Sequence, residues 1–361
     1  MRVLCAFLAT VLLITSLFAQ DDFFEPKTTL GGYGELHYNW AKPDGAEKAT
    51  KVLDFHRFVM FFAHGWSEKW SFKSELELEH NFLEGREEKG ELELEQAFID
   101  YHHSEAFGFQ IGVILPSAGF INEYHEPPLF LSVERPDYAK FIIPTTWFGN
   151  GAAVYGNVND FSYKFVIMEG FNGAKFSTKN GLRSGRQKGF KSNAGKLLYN
   201  ARIDYRGLRG LWMGGSFSHN NAITNTDTTI GAAIFEFHAK YNGNNILGVF
   251  EFGAISYDGE DAGLALETSQ GYYFDLGYNV ANLVGVNGKL TPWFRYSDYN
   301  TAASVIGGGD EEDRFHFKKW MVGLAFRPLD PLVFKLDFGV KTRQLDNADD
   351  KLLNIGAGYM F

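Results

Sequence analysis

Between Trp70 and His80 the chain alternates with a period of two. Trp70, Phe72, Ser74, Leu76 and Leu78 fall on one side, and Lys73, Glu75, Glu77 and Glu79 on the other. Successive side chains of a strand point to opposite faces, so this pattern predicts a strand with one apolar and one charged face. It recurs at Ile234–Tyr241, where Phe235, Phe237, Ala239 and Tyr241 oppose Glu236, His238 and Lys240. It recurs again at Val333–Arg343, where Phe334, Leu336, Phe338 and Val340 oppose Lys335, Asp337, Lys341 and Arg343. Sixteen segments of this kind are expected, at 28–40, 51–64, 69–81, 92–102, 106–115, 150–158, 161–170, 196–206, 211–219, 230–242, 245–256, 270–280, 287–299, 314–327, 331–344 and 351–361. About ten residues is the length a tilted strand needs to cross a bilayer.

The connections between these segments alternate as well. Gly65–Glu68, His103–Glu105, Asn159–Asp160, Gly207–Gly210, Gly243–Asn244, Ala281–Val286 and Pro328–Asp330 are short, while the intervening ones are mostly longer and more polar, above all Pro116–Gly149 and Phe171–Gly195. Short turns at one rim and long loops at the other predict an all-β fold, a transmembrane antiparallel β-barrel of about sixteen strands in the outer membrane. A soluble sandwich has no reason to alternate its loop lengths. Composition agrees: aromatics make up 16% of the chain, with 35 Phe, 17 Tyr and 40 Gly, yet no apolar run long enough for a membrane helix follows the N-terminus.

Residues 1–19 read as a secretory leader. Arg2 precedes an apolar run from Val3 to Phe18, and Ala19 offers a small residue for cleavage, leaving 20–361 as the barrel domain. The single cysteine, Cys5, lies in that leader, so disulfides, thiolate catalysis and cysteine-based metal sites are not expected in the exported chain. The formal net charge of −10, or −11 once Arg2 is removed, argues against a nucleic-acid partner. In the last segment Leu353, Ile355, Ala357, Tyr359 and Phe361 alternate outward. This resembles the aromatic C-terminal signal engaged by the barrel-assembly machinery, which makes that machinery an expected partner through Phe361.

Sixteen strands leave an aqueous channel unless something fills it, and the spare material is in the long connections. Pro116–Gly149 carries Pro116, Pro127, Pro128, Pro136 and Pro144, half of all prolines, so it is expected to be ordered. Its place after strand five resembles that of the connection that folds inward in general porins, which implies the same course here. The lumen charges separate by sign. Glu75, Glu77, Glu79, Glu93, Glu95 and Asp100 mark one wall. Arg202, Arg206, Lys289, Arg295, Arg314, Lys318, Lys335, Lys341 and Arg343 mark the other. Opposed walls of this kind would set a transverse field at a constriction, to which Glu123, Glu126 and Arg135 of the inward loop are added. The loop Phe171–Gly195 is basic (Lys175, Lys179, Arg183, Arg186, Lys188, Lys191) and could draw anions, bind lipopolysaccharide phosphates or simply be solvated. Glu123, His125 and Glu126, and the pair His102 and His103, contain metal-ligating types, but neighbours on an extended chain point apart; no metal or cofactor is expected.

The stretch Gly119-Phe-Ile-Asn-Glu-Tyr-His-Glu-Pro-Pro-Leu-Phe-Leu-Ser-Val-Glu-Arg-Pro136, followed by Ile143-Pro-Thr-Thr-Trp147 and Asn150-Gly151, resembles the family of phosphate-selective porins O and P. The pattern covers most of the chain, and the specific motif lies within Gln96–Gly156. The resemblance implies a sixteen-stranded porin, often a homotrimer, with a constriction formed by the inward loop. It implies diffusion of small polar or charged solutes, with anions such as phosphate among them. The arginine ladder and lysine cluster of that family are not matched residue by residue here. Two rival readings stay open: a closed structural or adhesion barrel, and an outer-membrane enzyme. For the enzyme no nucleophile-elbow signature is present, and no enzymatic activity is expected.

Overall fold

The computed structural model describes residues 24–81, 90–225 and 228–361. The leader with Cys5 lies outside these residues. Sixteen strands form one closed antiparallel barrel in which each pairs with its sequence neighbours and the first pairs with the last. They are β1 Lys27–Lys42, β2 Thr50–Gly65, β3 Trp70–Glu79, β4 Leu92–Ser104, β5 Phe107–Ile114, β6 Gly149–Val158, β7 Phe161–Met168, β8 Leu198–Tyr205, β9 Leu211–Ile223, β10 Thr229–Gly243, β11 Ile246–Asp258, β12 Leu266–Tyr278, β13 Lys289–Val305, β14 His316–Arg327, β15 Leu332–Arg343 and β16 Ala348–Met360.

The two faces expected from the period-two pattern are present. On β10, Phe235 and Phe237 are 58% and 43% exposed on the outer surface, while Glu236 and His238 between them are 5% and 0% exposed inside. Short connections gather at one rim. The β10–β11 link has Asn244 and Asn245 at φ 53° and 64°, the two left-handed positions of a tight hairpin turn whose twist matches the strands. The seam closes from Tyr33 opposite Met360 to Lys42 opposite Lys351. There Gly32 and Phe361 exchange backbone hydrogen bonds of 3.0 and 2.9 Å.

β12 and β13 run further toward the long-loop rim than the sequence pattern indicates, with Leu266 opposite Val305 across an irregular register. Their extension carries the loop 169–197: Thr301 Oγ1 donates to the carbonyl of Thr178 at 2.6 Å. Ala302 and Val305 are buried in the same apolar cluster as Phe171, Phe176 and Leu182 of that loop.

The inward loop 115–148 enters the barrel and supplies the interior with its own apolar core. Ile121, Phe130, Tyr138, Ile142, Ile143 and Trp147 are buried against Phe98, Val166, Tyr257, Tyr273 and Tyr299 of the wall. A 3-10 turn, Pro127–Leu129, and an α-helical turn, Tyr138–Phe141, lie within it.

Candidate functional site

The inward loop is tied to nearly every side of the barrel, and the lumen charges do the tying. Next to β5, Ser117 N donates to Asn200 Oδ1 on β8 at 3.0 Å. The buried Asn122 side chain staples the two ends of the loop together, donating to the carbonyls of Pro116 and Trp147 and accepting from Trp147 N at 2.7 Å. Across the lumen, Phe120 N donates to Glu251 on β11 at 3.0 Å and Val133 N to Asp337 on β15 at 2.7 Å. Arg295 on β13 donates to Ser132 Oγ, and Lys335 on β15 to the Ser132 carbonyl, both at 2.7 Å. Such charge-assisted bonds are stronger than neutral ones and leave few buried loop groups unpaired.

Two β-bulges shape the opposite wall. Between β1 and β2, Glu35 pairs with Arg57 and Leu36 with Phe55, so His56 is the extra residue. Between β3 and β4, Glu75 pairs with Gln96 and Leu76 with Leu94, so Glu95 is the extra residue. An extra residue turns two successive side chains to one face. It is why Glu95 and the later Asp100, of opposite parity, are both buried inside. His125 of the loop plugs into this wall. Its Nε2 lies 3.3 Å from Glu75 and 3.6 Å from Glu95, and its Nδ1 donates to the Asn122 carbonyl at 3.2 Å. Burial pushes the imidazole down, but the hydrogen bond to Glu75 and the charges of Glu75 and Glu95 outweigh burial and Arg135 and hold it protonated up to about 9. Further up, Glu134 accepts from His37 and Asn39, both at 2.9 Å. Burial pushes its carboxyl up, but the bonds and charge of His37 outweigh it and hold it at about 2.

The sequence-predicted residues therefore sort into several groups. Glu75, Glu77, Glu79, Glu93 and Glu95 line the acidic wall. Glu123 turns away from it to ion pairs with Lys164 (3.1 Å) and Arg202 (3.0 Å), and Arg202 also holds Asp204. Glu126 and Arg135 sit on the loop, partly buried, and Arg135 reaches the His125 carbonyl at 3.5 Å. Arg295 grips Asp275 with two bonds of 2.6 Å. Arg206 lies at the short-turn rim with its guanidinium 3.9 Å from the Trp212 ring centroid, and Arg343 at the other rim pairs with Asp346.

Lys318 is a correction. It shares a face with the exposed Trp320, Val322 and Leu324, and Lys319 is the lysine that points inward, 3.3 Å from Asp137. The pattern near the rim, His-Phe-Lys-Lys-Trp, allows either parity, and only the pairing of β14 with its neighbours decides it. The basic wall also differs from the expectation. Arg202 donates to the Gly119 carbonyl and Glu123, Arg295 to Ser132 Oγ and Lys335 to the Ser132 carbonyl, so all three fasten the inward loop. In the loop 169–197, Lys188 pairs with Glu91 and Glu93, and Arg183 and Arg186 cap the Thr145 carbonyl, while Lys175, Lys179 and Lys191 stay exposed.

Two charged cavities flank the loop, with a smaller apolar one of about 100 Å³ against Phe120, Phe130 and Trp212. The larger, about 520 Å³, opens among the long loops. It is lined by Arg57, Arg135, Lys140, Arg183, Lys319 and Lys341, by Glu35, Glu79, Glu134, Asp137 and Asp350, and by His37, His56 and His80. The other, about 250 Å³, lies toward the short-turn rim, with Glu123, Lys164, Arg202, Asp204 and Arg206 in its wall. Sequence reasoning did not single out His37, His56, His80, Asp54, Glu35 or Arg57. The signal available was their polar character inside otherwise apolar strands.

No known family model matches the chain. Its fold is shared with Salmonella typhi OmpF (TM-score 0.63, 12% identity, 93% of this chain and 98% of that one). It is shared also with an anion-selective porin from Comamonas acidovorans (0.61, 10%, 93% and 100%) and the outer-membrane channel DcaP of Acinetobacter baumannii (0.59, 11%, 94% and 99%). An uncharacterised protein of Aquifex aeolicus strain VF5 is 31% identical over 353 residues, 92% of this chain and 80% of its own length. The chain belongs to the family of that Aquifex aeolicus protein, built on the barrel fold of outer-membrane porins.

Proposed function

We propose that this chain is an outer-membrane porin, exported by its N-terminal leader, that lets small polar and charged solutes diffuse passively through a narrow, loop-lined path. The observation that carries this reading is the polar lumen of a closed sixteen-stranded barrel: charged cavities of about 520 and 250 Å³ on either side of one anchored inward loop. The larger cavity is lined by six cationic and five carboxylate side chains, which supports small ionic solutes over apolar ones and only a weak sign preference. Lys341, whose ammonium lies 4.3 Å from the Phe317 ring centroid and in no ion pair among the described residues, is the group best placed to favour anions such as phosphate. A homotrimeric assembly and kinship with the phosphate-selective O and P porins are part of the same proposal.

A second reading has its own observation. Trp147, Phe171, Phe176, Tyr257, Tyr273 and Tyr299 form an apolar core inside the lumen, as a closed structural barrel would require. Single-channel recording of the refolded protein in a planar bilayer, with a KCl gradient and then added phosphate, decides between them. We expect discrete steps, small for a sixteen-stranded barrel, a near-zero reversal potential and partial block by phosphate. A heat-modifiable, folded barrel that passes no current makes the closed barrel correct.

A further inference from the structure

The long-loop cavity has a cluster of ligating side chains that loop anchoring does not require. Asp54 and His56, two apart on β2, both face inward, His56 as the bulge residue, and His80 follows directly on the end of β3. The carboxylate oxygen Oδ2 of Asp54 lies 3.0 Å from His56 Nδ1 and 2.7 Å from His80 Nδ1. His80 occupies a left-handed backbone position, φ 55°, and its N–H donates to the His56 carbonyl at 3.0 Å. That conformation is uncommon for a residue other than glycine, and here it aims a ring at Asp54. The His37 ring stacks on His56 at 4.7 Å, and the His80 ring meets His56 edge-on at 5.3 Å. One ligand atom each from Asp54, His56 and His80 lies within 4.8 Å of the others, and the same is true of His37, His56 and Glu134.

We propose that Asp54, His56 and His80 bind one divalent transition-metal ion of the Zn²⁺, Ni²⁺ or Cu²⁺ class at the long-loop entrance. Two imidazoles and a carboxylate suit these ions, whereas Ca²⁺ and Mg²⁺ require an all-oxygen shell. A tetrahedral site with bonds of about 2.1 Å needs its ligand atoms about 3.4 Å apart, so small side-chain movements close the triad. The fourth position faces the cavity and is open to water. His37 and Glu134 act as positioning residues, packing behind His56 and holding its ring. Ligation uses neutral imidazoles, so binding displaces the protons now shared with Asp54. The ion would sit beside the His37–Glu134 tether of the inward loop, on the face a solute meets first. Metal binding at this site is independent of whether the barrel conducts.

The test is calorimetric titration of Zn²⁺ into the refolded full chain, with Cu²⁺ electron paramagnetic resonance as the readout of nitrogen ligation. His80→Asn keeps the left-handed turn, because asparagine tolerates that conformation, and Asp54→Asn keeps the shape of the carboxylate. We expect one saturable site, at least tenfold weaker in either variant, unchanged in His103→Ala at the opposite rim, and insensitive to millimolar Ca²⁺ or Mg²⁺. Retained heat-modifiable mobility shows that the variants fold. Absence of saturable Zn²⁺ binding, or undiminished binding and nitrogen coupling in folded His80→Asn, overturns the proposal.

Discussion

At the scale of single residues, lumen charges in this barrel are structural fasteners. Arg295 is 1% exposed and satisfies Asp275 on its own sheet and Ser132 on the loop at once. Breaking a buried pair from one side leaves an uncompensated charge, at about 3–5 kcal/mol. Arg295→Ala is therefore expected to lower the free energy of unfolding measured in urea by that amount, and Arg295→Ala with Asp275→Ala by clearly less. Equal losses in the single and double variants would show that Asp275 is not what the arginine compensates. Arg343, paired with Asp346 in an exposed turn, is the contrast: Arg343→Ala is expected to change the unfolding free energy by less than about 1 kcal/mol.

At the scale of the element, the inward loop is held by groups with different pH windows. The His125 imidazole is raised from its ordinary value near 6.5 to about 9. A raised pKa means that the protonated form is favoured in the docked loop. The stabilisation is full below about 6.5 and is lost as pH climbs toward 9, on the order of 3 kcal/mol for a shift of this size. Glu134 works in the opposite sense. Held at about 2, its contribution is present at neutral pH and disappears as pH falls from about 4.5 toward 2. Tryptophan fluorescence, reporting Trp147 within the loop and Trp212 beside Phe120, is expected to shift between pH 6.5 and 9 in the native chain. In His125→Gln this alkaline step is expected to vanish. Persistence of the step in that variant would assign it to another group.

At the scale of the whole molecule, closure depends on how near β1 can approach β16 and β2. A Cβ at Gly32 would stand 2.1 Å from the Val59 carbonyl oxygen and 2.9 Å from the Phe361 ring, and one at Gly34 would strike the Tyr359 ring at 2.6 Å. The glycines of the first strand thus make room for the aromatic end of the last. Gly32→Val is expected to abolish the heat-modifiable band on refolding, whereas Gly248→Val on β11, where nothing lies within 4 Å of an added Cβ, is expected to retain it. Refolding of Gly32→Val to a compact barrel would mean that the seam tolerates a wider spacing.

The alternation of side chains by itself determined the number of strands, their order and which face of most of them meets lipid. These follow from local rules: period two, strand length, and turn chemistry at the short rim. The tertiary structure alone decided which charges meet. His56 and Glu95 become bulge residues only through the register their strands adopt with β1 and β3. The inward face of Lys319 rather than Lys318 is likewise set by pairing at the rim. Arg202, Arg295 and Lys335 acquire their roles from a loop that is distant in sequence, with Ser132 and Arg295 163 residues apart. Electrostatic partnership depends on three-dimensional distance and on exclusion of water, and period-two spacing along the chain encodes neither.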